Sequence, residues 1–314
     1  MIVVTGGAGF IGSNLVHALN SRGRRDILIV DDFTDGHKFV NLADAQIADY
    51  LDHEDFRRRL SSVPKSLGRL ERVYHLGACS TTTEWNGRYM LETNFAYSRA
   101  MLDGCEALGI PLVYASSAAV YGAHATCVED EANERPLNVY GYSKLLFDQH
   151  VRQRRPGLRI PVTGLRYFNV YGPREGHKGR MASVILHFNQ QLRESGRVRL
   201  FDGSHGVGPG EQRRDFVHVD DVVAMTLWCG ESALGHGILN CGTGVAASFN
   251  DVARAILAWH GRGQIEYVPF PEDLKGAYQA HTCADPAAMR RAGYPGSFRT
   301  VHSGVRDYLD WLNG

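Results

Sequence analysis

The stretch TGGAGFIG, with glycines at positions 6, 9 and 12, constrains the fold of this chain more than any other feature. It follows the apolar run IVVT and precedes the amphipathic segment IGSNLVHALNSRG. Because glycine has no Cβ, such a turn lets a pyrophosphate approach the N-terminus of a helix, where amide groups and the helix dipole favour negative charge. Asp31 ends the next apolar run about 20 residues on, where a carboxylate can bind an adenosine ribose hydroxyl. The turn therefore predicts a dinucleotide site.

Short apolar runs alternate with amphipathic segments over the first half of the chain, among them DILIVDD, RVYHLGA, PLVYASS and RIPVTGLRYFN. Buried strands separated by helices predict an α/β fold with a Rossmann-type doubly wound parallel sheet. After Asn169 the pattern loosens, and RDFVHVDDVVAMTLW then resumes a strand and a helix that we expect to return to the first sheet. We predict a dinucleotide-binding domain of residues 1–168 plus about 215–240. Residues 169–214 plus about 241–314 would form a smaller α/β substrate-binding domain.

Composition excludes several classes of partner. The 34 basic residues balance 34 acidic ones, so no excess charge indicates binding to nucleic acid or to a membrane surface. Six cysteines without a C-x-x-C pair argue against a disulfide framework and a zinc site, and a reducing cytoplasm is the expected setting. No run approaches the ~20 apolar residues of a membrane span. The HVDD stretch at 218–221 is interpreted as a strand end and helix cap, and no metal is expected.

The segment PLNVYGYSK places Tyr140 and Lys144 four residues apart. On a helix these side chains share a face, and an ammonium beside a phenol stabilises the phenolate. The spacing thus predicts a tyrosine with a lowered pKa that acts as an acid/base catalyst. A plain helical turn at the surface is the alternative, and the spacing alone does not exclude it.

The glycine-rich turn together with YGYSK resembles the extended short-chain dehydrogenase/reductases of the NAD-dependent epimerase/dehydratase family, over nearly the whole chain. The resemblance implies that Ser117 in YASSAAVYG holds the reacting oxygen, Tyr140 exchanges the proton, and Lys144 orients the cofactor ribose and lowers the tyrosine pKa. Dehydratases of this family usually carry an Asp-Glu pair after the catalytic hydroxyl residue, where this chain has Ala118 and Ala119. Transient oxidation followed by re-reduction is therefore favoured over elimination of water.

The resemblance also implies a cofactor, NADP with NAD as the alternative. The matched cofactor positions are Gly6, Gly9, Phe10, Ile11, Gly12, Asp31, Asp32, Lys38, His53, Leu76, Gly77, Ala78, Cys79, Ser80, Asn94, Lys144, Val170 and Lys178. Asn94 is equally compatible with a helix cap. Many relatives have Asn in place of Asp32 and Lys in place of His53, and the extra carboxylate is unfavourable for a 2′-phosphate. Our hypothesis is that Lys38 sustains NADP binding with reduced discrimination.

Four further segments narrow the resemblance: KFVNLADAQIADYLD, ACSTTTEW, FNVYGPREGHKGRMASV and PFPEDLKGAYQAHTCAD. They are similar to the branch of the family that inverts carbon 6 of an ADP-linked heptose for the lipopolysaccharide inner core. That branch implies Lys178 as a second acid/base opposite Tyr140, whereas the sequence alone indicates a phosphate-contacting or solvated cation. It also implies a homo-oligomer, often a pentamer. The matched substrate positions are Asn169, Arg180, His187, Phe201, Asp202, Gly203, Ser204, Arg214 and Tyr278.

Two alternatives stay open at this point. One is an epimerase or reductase of another nucleotide sugar, because pocket residues come from loops, which change most easily. The other is a dinucleotide-sensing protein that has lost catalysis. The intact serine, tyrosine and lysine argue against the second, since a sensor has no need of a tuned phenol.

Overall fold

The structure is a computed structural model and describes residues 1–124, 126–203, 206–232, 235, 237–271 and 281–314. Within these residues the strands are β1 Ile2–Thr5, β2 Ile27–Asp31, β3 Asp49–Asp52, β4 Arg72–His75, β5 Leu112–Ser117, β6 Val162–Tyr167, β7 Asn169–Tyr171, β8 Arg197–Phe201, β9 Arg213–Arg214, β10 Phe216–His218, β11 Gly237–Cys241, β12 Ala247–Ser248 and β13 Gln264–Val268. The helices are α1 Phe10–Ser21, α2 His53–Ser62, α3 Gly87–Met90, α4 Tyr97–Leu108, α5 Val139–Arg154, α6 Val184–Ser195, α7 Val219–Glu231, α8 Phe249–His260, α9 Ala287–Arg291 and α10 Val301–Asn313.

Seven strands form one parallel sheet in the order β3-β2-β1-β4-β5-β6-β11. Every residue of β1 and β2 is buried, as expected for central strands covered on both faces. Successive side chains alternate between two hydrophobic clusters: Ile2 and Val4 pack in one, and Val3 packs in the other. The predicted Rossmann-type doubly wound sheet is confirmed, and its strand order reverses direction between β1 and β4.

The rest of the chain builds a second region from short strand pairs and helices. β10 pairs with β7, β9 with β12 and β8 with β13. Helices α6, α8 and α10 surround a third hydrophobic cluster that includes Leu192, Ile256 and Leu309. The domain boundaries given above stay a prediction.

The expectation that the unit after Arg213 returns to the first sheet is wrong for its strand. β10 pairs with β7, and the amide of Asn169 donates to the carbonyl of Asp215 at 3.0 Å. Helix α7 does pack on that sheet, because its apolar residues Val222, Met225 and Leu227 belong to the same cluster as β1. The seventh strand is instead β11, which pairs with β6.

A buried polar network fixes α5 to the neighbouring strands. Asp148 accepts hydrogen bonds from the Tyr114 hydroxyl at 3.0 Å, from Ser116 Oγ at 2.9 Å and from Arg166 Nε at 3.0 Å. Neither Asp148 nor Arg166 is exposed to solvent, and the guanidinium lies 4.8 Å from the ring centre of Tyr121. The network joins β5, β6 and α5, the three elements that carry or flank Ser117, Tyr140 and Lys144.

None of the helices in the described part of the chain is long and apolar enough to cross a membrane.

Candidate active site

A cavity of about 940 Å³ opens at the carboxyl ends of β1, β4 and β5. In doubly wound sheets, ligands bind in the crevice where the strand order reverses, which is the position of this cavity. Its walls come from the glycine-rich turn, from the segments after β2, β4 and β5, from α5, and from residues 167–170, 177–178 and 181–184. The two regions of the fold therefore enclose one site.

The glycine-rich turn fits a pyrophosphate. Gly6 has φ +66°, and a Cβ there would lie 2.7 Å from the amide nitrogen of Gly77. A Cβ on Gly12 would lie 2.0 Å from the carbonyl oxygen of Gly6, so only glycine lets the helix pack on the turn. Gly9 is the N-cap of α1, and no side chain in the described residues caps this helix. Its first-turn amides are thus available to phosphate oxygens.

Asp31 ends β2 at the edge of the cavity, as predicted. Its buried carboxylate accepts from the amide of Ala8 at 2.8 Å and from Lys38 Nζ at 3.0 Å. Lys38 also donates to the carbonyl of Asp32 at 2.5 Å. Hydrogen bonds from Thr34 lower the pKa of Asp32, so this carboxylate stays charged where a 2′-phosphate would approach. Lys38 is the cation that offsets these two carboxylates.

Residues 76–80, which follow β4, line the cavity. Asn94 does not line the cavity, but its side chain is hydrogen-bonded to this segment. The Asn94 side chain accepts from the amide of Cys79 at 2.8 Å and donates to its carbonyl at 2.9 Å. It also donates to Ser143 Oγ on α5 at 3.0 Å. Asn94 lies within a π-helical segment, Leu91–Ala96, and is not a helix cap. We infer that it positions the loop and helix α5 relative to each other.

Ser117 and Tyr140 meet at the carboxyl end of β5. Asn138 caps α5 by accepting from the amide of Gly141 at 2.8 Å. A Cβ on Gly141 would lie 2.7 Å from the carbonyl oxygen of Ala119, so the first turn of α5 packs against the segment that follows Ser117. This close approach places Tyr140 and Ser117 side by side in the wall of the cavity. A single substrate oxygen can therefore bind both hydroxyls.

The expected lowering of the tyrosine pKa by Lys144 is not observed. Burial raises the pKa of Tyr140, and the hydrogen bond with Ser117 offsets only part of this effect. Lys144 Nζ instead donates to the carbonyl of Ala115 at 2.9 Å, and burial lowers the pKa of Lys144 to about 8. Lys144 therefore loses its charge as the pH rises through about 8. The chain's own residues hold Tyr140 as a neutral proton donor.

Lys178 reaches the same cavity from the other region of the fold, on a 3₁₀ turn of residues Gly176–Met181. Its ammonium lies 5.3 Å from the ring centre of Phe10, the first residue of α1. Burial lowers the pKa of Lys178, with Glu175 acting in the opposite direction. Burial thus favours the neutral forms of both groups, a phenol that donates a proton and an amine that accepts one.

Comparison with known proteins identifies the family. Residues 2–242 match the NAD dependent epimerase/dehydratase family. The chain belongs to this family. It is 58% identical over 310 residues to the ADP-L-glycero-D-manno-heptose-6-epimerase of Alkalilimnicola ehrlichii, covering 99% of this chain and 97% of that protein.

Solved structures of family members superpose over the full length of the chain. The ADP-L-glycero-D-manno-heptose-6-epimerase of Helicobacter pylori has a TM-score of 0.84 at 29% identity, covering 100% of this chain and 96% of that one. The UDP-glucose 4-epimerase of Thermus thermophilus, solved in complex with NAD, has a TM-score of 0.80 at 26% identity, covering 100% of this chain and 99% of that one. The chain therefore shares its fold with these two epimerases.

The substrate positions matched by family resemblance are only partly brought together. Of those that the structure describes, Asn169 lines the cavity, while Arg180, His187, Phe201, Asp202, Gly203 and Arg214 do not. Arg180 is exposed, His187 is half-buried on α6, and Arg214 is buried with its guanidinium 5.8 Å from the ring centre of Phe249. Ser204 and Tyr278 lie outside the described residues.

Several residues that line the cavity were not predicted, namely Thr81, Thr82, Tyr89, Glu92, Thr93, Ser116, His177, Ser183 and Thr282. The hydroxyl-rich stretch CSTTTEW, which follows β4, is the sequence signal that could have indicated two of them, Thr81 and Thr82. Hydroxyl groups suit the ribose and sugar rings of nucleotide sugars, which present many donors and acceptors.

The HVDD stretch is explained by helix capping. His218 caps α7 by accepting from the amide of Asp220 at 3.2 Å, and Asp221 accepts from the amide of Arg299 at 2.7 Å. Within the described residues, no group of three or more His, Cys, Asp or Glu side chains could hold a metal ion.

Proposed function

We propose that this chain inverts carbon 6 of the heptose in ADP-D-glycero-D-manno-heptose to give ADP-L-glycero-D-manno-heptose, by transient oxidation and re-reduction with bound NADP. This product belongs to the synthesis of the lipopolysaccharide inner core. One observation carries the proposal: two acid/base groups, Tyr140 and Lys178, line one cavity from different regions of the fold. The identity of 58% to a heptose epimerase supports the choice of substrate.

The site residues fit a nicotinamide dinucleotide. The turn at Gly6–Gly12 would hold the pyrophosphate, Asp31 and Lys38 the adenosine ribose, and Lys144 the nicotinamide ribose. When bound, the oxidised nicotinamide supplies a hydride acceptor and a positive charge. Ser117 would hold the substrate oxygen while Tyr140 exchanges its proton.

Inversion requires a second proton exchange. The hydride would be taken from carbon 6 and given back to it on the same side of the nicotinamide. The ketone must therefore turn its opposite face toward that side before it is reduced. The oxygen at carbon 6 then points away from its first partner. Lys178, on the separate 3₁₀ turn, would exchange the proton there.

The experiment that tests this function follows the inversion of carbon 6 in ADP-D-glycero-D-manno-heptose by proton NMR. The rate of this turnover is compared with the rate of turnover of UDP-galactose under the same conditions. Turnover of the ADP-heptose that is at least about tenfold faster than turnover of UDP-galactose supports the proposal. Faster turnover on UDP-galactose would assign the chain to another nucleotide sugar. Binding of the dinucleotide without turnover of either would indicate a sensor.

Replacing Lys38 with alanine tests the cofactor preference. The change leaves the carboxylates of Asp31 and Asp32 without the ammonium that offsets them, so NADP affinity should fall by about tenfold more than NAD affinity. Isothermal titration with each cofactor measures both values. Lys65→Ala, at an exposed lysine on the 3₁₀ turn Pro64–Leu67 that follows α2, is the control. An unchanged ratio of the two affinities would rule out Lys38 as the determinant.

We also propose that the protein is a cytoplasmic homo-oligomer, pentameric by family resemblance. Support for a reducing setting comes from the six cysteines, which are all free thiols. Light scattering in solution measures the mass of the assembly.

A further inference from the structure

Glu175 is a buried carboxylate that the proposed reaction does not explain. It lies immediately before the 3₁₀ turn that carries Lys178, and its side chain is fully buried. Its carboxylate accepts from the amide and the hydroxyl of Ser183, both at 2.6 Å, and from the amide of Gly172 at 3.3 Å. The Tyr308 hydroxyl of α10 is also hydrogen-bonded to it.

All these hydrogen-bonding groups are neutral. A buried carboxylate without an ion pair is costly unless hydrogen bonds or a nearby positive charge stabilise it. In the described part of the chain the cation that interacts with Glu175 is Lys178, three residues on. The amide of Lys178 donates to the carbonyl of Glu175 at 3.0 Å, so the two residues share one turn of backbone.

The bonds of Glu175 close the segment on itself. Gly172 and Ser183 begin and end residues 172–183, which we call the Lys178 loop, and the carboxylate joins both ends. The loop is also attached to the dinucleotide-binding region. Asn14 of α1 donates to the carbonyl of Pro173 at 2.8 Å and accepts from Arg174 at 3.1 Å.

The backbone beside Glu175 is strained. Arg174 has φ +70°, a left-handed conformation that is unfavourable for a non-glycine residue. Such conformations persist where surrounding contacts fix them, and they cluster at functional sites. Here the contacts are those of Glu175 on one side and of Asn14 on the other. The strain is consistent with a loop whose shape is fixed for the side chain it carries.

We propose that Glu175 is the positioning residue for Lys178: its buried carboxylate joins the two ends of the Lys178 loop and so fixes the turn that carries the ammonium group. This inference rests on the proposed function for the role of Lys178, but the contacts of Glu175 do not depend on the substrate. The charge works against burial, which favours the neutral amine. Glu175 thereby sets the pH range over which Lys178 can both accept and return a proton.

The other groups that face Lys178 are few in the described structure. His177 of the same loop carries a pKa lowered chiefly by burial, and its Nδ1 lies 3.0 Å from the side-chain amide nitrogen of Asn41. From α1 the facing group is the uncharged ring of Phe10, and from α5 it is the neutral phenol of Tyr140 across the cavity. Neither ring supplies a charge that replaces Glu175.

The test is a pH titration of the intact protein labelled with ¹³Cε-lysine. The protein has five lysines, so only five lysine signals must be resolved. Lys178→Met assigns the Lys178 signal. In Glu175→Gln the midpoint of Lys178 should move to lower pH, because the favourable charge is gone, while the midpoint of Lys144 should not move. Turnover of Glu175→Gln should fall by about ten- to a hundredfold, which is less than the ~10²–10⁴-fold loss expected when an acid/base group is removed. The pH profile of turnover should shift to lower pH, as the Lys178 midpoint does.

Tyr308→Phe is the matched control, because it removes a hydrogen bond to the same carboxylate and keeps the charge. Its Lys178 midpoint should equal that of the native protein. An unchanged midpoint in Glu175→Gln, whatever its turnover, would overturn the proposal. Failure of the native protein to turn over ADP-heptose would instead refute the proposed function, since the titration needs no substrate.

Glu175→Asp covers the case in which Glu175→Gln does not fold. It keeps the charge but shortens the side chain that joins Gly172 to Ser183, so turnover should fall by about tenfold or more while cofactor affinity stays within about twofold. Native turnover in Glu175→Asp would contradict the proposal as directly.

Discussion

Replacing Tyr140 with phenylalanine is expected to lower turnover by about 10²–10⁴-fold, the usual contribution of a general acid/base group. The ring of Tyr140 lines the cavity and its hydroxyl contacts Ser117, so the change removes only the proton-exchanging atom. Cofactor binding should persist, because the glycine-rich turn, Asp31 and Lys144 are untouched. Steady-state kinetics and cofactor titration measure the two properties separately.

Tyr142 of the same helix provides a matched control. Its side chain is exposed to 46%, and Tyr142→Phe should leave turnover within about twofold of the native value. Equal turnover in Tyr140→Phe and the native protein would refute Tyr140 as the acid/base. Loss of cofactor binding in Tyr140→Phe would show that the phenol acts through the cofactor rather than the substrate.

Replacing Asp148 with alanine is expected to produce the largest loss of stability. The change removes one of the two carboxylate partners of the fully buried guanidinium of Arg166, leaving Glu134 as the other, and it removes the acceptor of Tyr114 and Ser116. Removal of one partner of a buried ion pair costs about 3–5 kcal/mol. Urea titration followed by circular dichroism gives the free energy of unfolding of both proteins.

Asp103 is the control for this prediction. It forms an ion pair with Arg154 of α5 at 2.7 Å, but both side chains are substantially exposed. Asp103→Ala should therefore cost less than about 1 kcal/mol. A loss for Asp148→Ala as small as that of the control would mean that the network around Arg166 does not hold α5 to the sheet.

The sheet and the cofactor turn follow from local sequence. The buried runs of β1 and β2 and the glycines at 6, 9 and 12 can be read from short contiguous stretches of sequence, so the fold class was predictable. The strand β10 was assigned to the wrong sheet because an apolar run of three residues does not encode its partner. Its pairing depends on where β7 leaves the first sheet.

The electrostatics of the site could not be deduced from spacing. Tyr140 and Lys144 do share a helix, but Lys144 donates to the carbonyl of Ala115 on β5. Burial then shifts the pKa of the phenol in the direction opposite to the one expected. The positioning roles of Asn94 and Glu175 could not be deduced from the sequence for a similar reason, because their partners Ser143 and Tyr308 lie 49 residues or more away along the chain.

The most direct test of the proposed chemistry is a proton NMR time course with ADP-D-glycero-D-manno-heptose in deuterated water. Oxidation and re-reduction return the same hydride to carbon 6, so the account predicts inversion with hydrogen retained at that carbon. Inversion with deuterium at carbon 6 would show that a proton, and not a hydride, is removed, and would contradict the account.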